Sequence, residues 1–134
     1  MILVPVFLGL AAAAALVNGW LIARTGNLRR QLAISVGDGG NEALLRRMRA
    51  QANFLETTPF FLFLALGLEL AGANRLALAP VGAMFILARV SHGVGMEGGE
   101  KSRWRMYGMM GTTFTTLVLI LWSLVRLIEL GLGR

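Results

Sequence analysis

Three polar residues recur at helical spacing where a polar segment passes into a long apolar run. Arg49, Asn53 and Glu56 stand at i, i+4 and i+7, so one face of a helix would carry a cation, an amide and a carboxylate. Such groups are costly at membrane depth, and they normally face a protein interior or a wet cavity. The stripe is therefore a candidate ligand site, with an Arg–Glu pair that merely joins two helices as the structural alternative.

A second polar group lies at the ends of the next two apolar runs. Arg89 and His92 end one run, and Arg103 and Tyr107, spaced i and i+4, begin the next. A guanidinium group binds carboxylates through paired hydrogen bonds and lowers the pKa of a nearby thiol. The chain has no cysteine, so thiol chemistry here requires a thiol supplied by a substrate. A lone histidine such as His92 is more often an interfacial residue than a general base.

Other kinds of site find no support in the sequence. No residues have metal-ligand spacing, and no Ser/His/Asp set is present. The segment Gly37-Asp38-Gly39-Gly40 lacks the Lys-Ser/Thr that follows a phosphate loop, so it predicts a turn. The net charge of +6 comes from basic residues placed between apolar runs, which favours membrane-flanking loops over a nucleic-acid surface.

Four apolar runs must position these residues. The composition is 56% hydrophobic with a mean hydropathy of +0.67, which exceeds that of an ordinary soluble domain of 134 residues. The pattern predicts an all-α, integral membrane four-helix bundle in a single domain over residues 1–134. The predicted helices cover about 3–23, 42–70, 76–90 and 106–130. The two polar stretches cover 24–49, which includes the start of the second helix, and 91–105. The first run is too long for a signal-peptide core, so we expect it in the mature protein.

Basic residues are concentrated at one end of the predicted bundle. They are Arg24, Arg29, Arg30, Arg46, Arg47 and Arg49 around the first loop, and Arg89, Lys101, Arg103 and Arg105 around the second. The positive-inside rule then predicts that both loops are cytoplasmic and that both termini lie outside.

The stripe also carries a family resemblance. The segment Arg49-Ala-Gln-Ala-Asn53-Phe-Leu-Glu56-Thr-Thr-Pro59, followed by Phe-Phe-Leu-Phe-Leu, resembles the second-helix signature of the MAPEG family, the membrane-associated proteins in eicosanoid and glutathione metabolism. The segment from Ala88 to His92 is similar to the R-V-x-H segment of microsomal prostaglandin E synthase in that family. The four-helix layout is similar along nearly the whole chain.

The resemblance implies a homotrimer of four-helix protomers that binds glutathione between neighbouring protomers. It implies a glutathione-binding set of Arg29, Arg30, Arg49, Asn53, Glu56, Arg89, His92 and Tyr107, with Arg103 as the residue that stabilises the thiolate. Arg105 is the alternative in the neighbouring register, and Tyr107, four residues after Arg103, favours Arg103. Either Arg29 or Arg30 would contact glutathione from the same or the adjacent protomer.

The resemblance has departures. Leukotriene C4 synthase has tyrosines where this chain has Thr57 and Met96. With its short length and Gly-rich loop, the sequence is similar to a bacterial member of the family, which implies a bacterial inner membrane. We therefore assign no eicosanoid substrate.

The hypothesis from the sequence is a glutathione-dependent transferase or peroxidase that acts on a lipophilic electrophile dissolved in membrane lipid. The sequence leaves conjugation, peroxide reduction and isomerisation open. A non-enzymatic membrane protein of the same fold is the alternative. A small multidrug transporter is disfavoured, because it would need an acid within the first helix, and residues 3–23 contain none.

Overall fold

The computed structural model describes residues 3–98 and 101–133, and these form four long helices. The helices are α1 (Pro5–Leu32), α2 (Glu42–Leu70), α3 (Arg75–Gly95) and α4 (Arg103–Gly131), with a single 3-10 turn, Met96–Gly98, after α3. Each of the four helices is long and apolar enough to cross a membrane. The prediction of an all-α, membrane-spanning four-helix bundle is confirmed. We call the end where α1 and α3 finish and α2 and α4 begin the basic end.

Three of the four helices are longer than predicted. The prediction that a loop begins at Arg24 is wrong, because α1 continues to Leu32 and ends only where Ala33 adopts a left-handed conformation with φ 55°. Likewise α3 runs on to Gly95 and α4 starts at Arg103, which shortens the predicted 91–105 loop. Apolar runs mark only the part of a helix at membrane depth. Backbone hydrogen bonds extend each helix beyond that part.

Side-chain caps and a glycine turn define where α2 and α3 begin. The Asn41 side chain accepts a hydrogen bond from the Leu44 N–H at 3.0 Å, and Asn74 accepts one from the Leu76 N–H at 2.8 Å. Before Asn41, all three glycines of the Gly37–Gly40 segment have positive φ angles, of 70°, 56° and 75°. The predicted turn at this segment is confirmed.

The closest helix contact joins α3 to α4. A Cβ atom built on Gly108 would lie 2.4 Å from the backbone N of His92, and one on Gly95 would lie 2.1 Å from the backbone N of Arg105. Small residues of this kind let two membrane helices approach closely. Deeper in the bundle, the rings of Phe61 and Phe85 stack with centroids 3.7 Å apart. The backbones of α3 and α4 therefore touch directly at the basic end.

Polar contacts hold together the end opposite the basic end. The buried Glu69 carboxylate, at the end of α2, accepts hydrogen bonds from the backbone N–H groups of Val6 at 3.2 Å and Phe7 at 2.8 Å. It also forms a 3.0 Å ion pair with Arg75. The Arg126 guanidinium of α4 donates to the Ala71 carbonyl in the α2–α3 turn. These contacts link the start of α1 and the end of α4 to the same turn.

Candidate functional site

Arg89 lies at the centre of the candidate site and is only 2% exposed. Its guanidinium donates to the Asn53 side-chain oxygen of α2 at 2.8 Å and to the Thr112 hydroxyl of α4 at 3.3 Å, and it lies 5.7 Å from the centre of the Phe54 ring. No carboxylate among the described residues forms an ion pair with it. Arg89 is therefore a buried cation with neutral hydrogen-bond partners.

The α2 stripe, which consists of Arg49, Asn53 and Glu56, extends from Arg89 to the protein surface. Asn53 is half-buried and its side-chain oxygen is taken by Arg89, whereas the side chains of Arg49 and Glu56 are exposed. Within the part of the chain that the structure describes, Arg49 and Glu56 form no ion pair with each other or with other groups. The structural alternative, an Arg–Glu pair that joins helices, therefore finds no contact to support it here.

His92 lies one helical turn from Arg89 and packs against α4. It is 4% exposed, and its backbone meets Gly108 at the close approach of α3 and α4. The ring atom Nδ1 is buried without a hydrogen-bond partner among the described residues. The structure thus places His92 inside the protein, although the sequence favoured an interfacial position.

Tyr107 and Arg103 lie on the exposed first turns of α4. Tyr107 is 55% exposed and lines a groove of about 550 Å³ formed by residues of α3 and α4, Ser91 and Trp104 among them. The polar residues of the α2 stripe do not line this groove. Arg103 is exposed and Arg105 is half-buried. The structure therefore does not bring Tyr107 and the α2 stripe together in this groove.

The two arginines at the end of α1 differ in their surroundings. Arg29 donates to the carbonyl of Gly37 at 2.7 Å and to that of Ser35 at 3.4 Å, and it contacts the Met48 sulfur at 3.2 Å. Arg30 is exposed and donates to the Asn27 side chain. Arg29 therefore supports the α1–α2 turn, whereas Arg30 points its charge to the surface.

A further cluster at the basic end was not recognised from the sequence. Glu97, in the 96–98 turn, forms ion pairs with Arg24 of α1 at 2.7 Å and with Arg47 of α2 at 2.8 Å. In the sequence, the two arginines contribute only to the charge bias, and no motif includes Glu97. The three residues come from three different elements, so no periodic spacing could have indicated their contact.

Taken together, the basic end presents more cations than anions. The positively charged side chains there are Arg24, Arg29, Arg30, Arg46, Arg47, Arg49, Arg89, Lys101, Arg103 and Arg105, and the described acids are Asp38, Glu42, Glu56 and Glu97. Guanidinium groups in such excess suit carboxylates and other anions. The excess of guanidinium groups therefore favours an anionic ligand at this end of the bundle.

Comparison with known proteins agrees with this architecture. The family model described as the MAPEG family matches residues 7–125. The protein named inner membrane protein YecN from Escherichia coli strain K12 is 31% identical over 97 residues, which are 72% of this chain and 73% of that protein. The protein of the same name from Escherichia coli O6:H1 matches to the same extent. Because the family model covers all of α2 and α3 and most of α1 and α4, the chain belongs to the MAPEG family.

Proposed function

We propose that the protein is a glutathione-dependent transferase or peroxidase of the bacterial inner membrane. Family membership supports a membrane protein of this type, and the relative named an inner membrane protein supports the compartment. The observation that carries the proposal is the buried guanidinium of Arg89, which has only neutral partners among the described residues. A buried charge normally has a counter-ion, so an anionic ligand beside Arg89 would complete its surroundings.

Glutathione has the groups that match this site. It carries two carboxylates and one ammonium group at neutral pH. Arg49 and Arg89 suit the carboxylates, the exposed Glu56 carboxylate suits the ammonium group, and the free amide N–H groups of Asn53 suit a peptide carbonyl. His92 lies one turn beyond Arg89, where its unpartnered ring nitrogen can accept or donate a hydrogen bond.

The proposal includes a homotrimer with its basic end in the cytoplasm and both termini outside. A second protomer would bring Arg29 or Arg30 to the α2 stripe of its neighbour, and Arg30 is exposed and available for this contact. The positive-inside rule supports the orientation, because the basic residues lie at one end of the bundle. Cytoplasmic glutathione would then reach the site directly.

Arg103 is the proposed thiolate-stabilising residue. Its guanidinium favours loss of the thiol proton to water, and the sulfur then forms a bond to the electrophilic atom of a lipophilic substrate. In conjugation, the leaving group departs with its electron pair, or the π electrons of an activated double bond shift away from the attacked carbon and take up a proton from water. Tyr107 borders the apolar α3–α4 groove and is placed to contact such a substrate.

A glutathione titration of the detergent-purified protein tests the proposal. Thiolate absorbance near the ultraviolet edge should rise to saturation at neutral pH. Arg103→Ala should abolish the absorbance while binding persists, whereas Arg49→Ala or Glu56→Gln should weaken binding first. Arg46→Ala is the matched control, because Arg46 pairs with the exposed Glu42 one turn away on the same helix and should leave the titration unchanged.

A non-enzymatic membrane protein is the second candidate, and one observation favours it. Thr57 stands where a tyrosine contacts the ligand in leukotriene C4 synthase, and its hydroxyl donates to the Asn53 backbone carbonyl of its own helix at 2.9 Å. That hydroxyl is therefore not directed to a ligand. Absence of saturable binding at millimolar glutathione would favour this candidate over the transferase.

A further inference from the structure

Glu97 lies between two arginines that converge on the same carboxylate oxygen. Its Oε1 atom is 2.7 Å from a guanidinium nitrogen of Arg24 and 2.8 Å from one of Arg47. The contact joins the turn after α3 to the end of α1 and the start of α2. Among the described residues, two guanidinium groups face this one carboxylate, which leaves a positive charge in excess at this point.

The two arginines are held in place by groups other than Glu97. Arg24 donates to the Gly93 carbonyl at 3.1 Å, and its guanidinium carbon lies 4.4 Å from the centre of a Trp20 ring. Arg47 donates to the Arg24 backbone carbonyl at 2.9 Å. These contacts do not involve Glu97, so they orient the two guanidinium groups independently of its carboxylate.

Exposure differs between the arginines and their partner. The Arg24 and Arg47 side chains are 15% and 27% exposed, whereas the Glu97 side chain is 48% exposed. Partly exposed ion pairs of this kind are weak, because water and salt screen the charges. A carboxylate from solution can therefore compete with Glu97 for two guanidinium groups that are already oriented.

We propose that Arg24 and Arg47 form a carboxylate-binding site that Glu97 occupies from within the chain. A carboxylate ligand that displaces Glu97 releases the 96–98 turn, which precedes Arg103 and α4 in the chain. We call this turn, which Glu97 holds against Arg24 and Arg47 and which a ligand would release, the latch. The assignment of one carboxylate of glutathione as the natural competitor rests on the proposed function, whereas the site itself does not.

Hydrogen–deuterium exchange of the full-length protein in detergent tests the latch. Potassium succinate should raise amide exchange in peptides that cover the 96–98 turn, whereas potassium chloride at the same ionic strength should not. Glu97→Gln should raise this exchange roughly threefold or more without any ligand, as expected for the loss of two partly exposed ion pairs. Glu42→Gln is the matched control, because Glu42 also pairs with an arginine at the basic end but lies in α2.

The affinity for succinate distinguishes a ligand-binding site from a pair of ion pairs that only stabilise the fold. Calorimetry should show that Glu97→Gln binds succinate roughly threefold or more tightly than the wild type, because the internal competitor is gone. Arg47→Lys, which keeps the charge and loses the planar fork, should bind succinate more weakly. A Glu97→Gln protein with faster exchange but no gain in affinity would overturn the proposal.

The hydrogen–deuterium exchange measurement is repeated with glutathione in place of succinate. A response of the turn to both succinate and glutathione supports the complete proposal. A response to succinate without glutathione thiolate formation would refute the proposed function and leave the latch standing. Glutathione thiolate formation while the turn responds to neither anion would refute the latch and leave the proposed function standing.

Discussion

A single methyl group added at Gly108 should push α3 and α4 apart. The Cβ atom of alanine would lie 2.4 Å from the His92 backbone N, and ordinary van der Waals contact begins near 3.4 Å. The helices must therefore separate by about 1 Å at this point, since both sides of the contact are backbone or Cβ atoms. Overpacking of a tight contact costs about 1–3 kcal/mol, so we expect Gly108→Ala to melt several degrees below the wild type.

Thermal unfolding in detergent, followed by tryptophan fluorescence, measures this loss of stability. Two other glycine-to-alanine variants serve as controls. Gly111→Ala should lower the melting temperature less than Gly108→Ala, because its Cβ would lie 2.8 Å from the Ala88 side chain rather than against backbone atoms. Gly19→Ala should be neutral or slightly stabilising, because no atom lies within 4 Å and alanine favours helix. Equal melting temperatures for Gly108→Ala and Gly19→Ala would refute the close approach of α3 and α4.

Because Gly108 contacts His92, we also expect Gly108→Ala to weaken glutathione binding.

Three further predictions test other contacts by the same melting assay or by proteolysis. Asn53→Ala should lower the free energy of unfolding by about 1–3 kcal/mol, because the buried Arg89 cation loses its partner at 2.8 Å. Arg89→Met should lower it less, because this variant removes the cation itself. The opposite order would contradict this explanation. Glu69→Ala should cost about 1–3 kcal/mol through lost bonds to α1, whereas Glu42→Ala should change stability by less than about 1 kcal/mol. Arg29→Ala should speed protease cleavage between residues 33 and 41, and unchanged cleavage would show that its bond to the Gly37 carbonyl does not hold that turn.

Much of the fold could be predicted because the bilayer demands long apolar helices. The start of α2 was also predictable, since Asn41 caps it through a local hydrogen bond to Leu44. The end of α1 was not predictable from hydropathy, because the helix continues through Arg24 to Leu32 outside the apolar run. There the helix is stabilised by contacts such as the bond from Arg47 to the Arg24 carbonyl, which hydropathy does not encode.

The candidate site was predictable only where its residues share one helix. Arg49, Asn53 and Glu56 do lie on one face of α2, as their spacing predicted, but their roles in glutathione binding stay a prediction. The contact of Asn53 with Arg89 depends on how α2 and α3 cross, and sequence spacing does not determine that geometry. The same limitation applies to Tyr107, whose groove is defined by the packing of α4 on α3.

The Glu69 contact has a consequence for the biogenesis of the protein. The first backbone N–H groups of any helix have no partner within that helix, and here those of Val6 and Phe7 obtain one from residue 69 at the end of α2. Before α2 has been synthesised, the first turn of α1 must keep other partners, such as water or lipid headgroups. The bond forms only when α2 has been synthesised and folded back beside α1. We therefore expect the first turn of α1 to reach its final structure only together with α2.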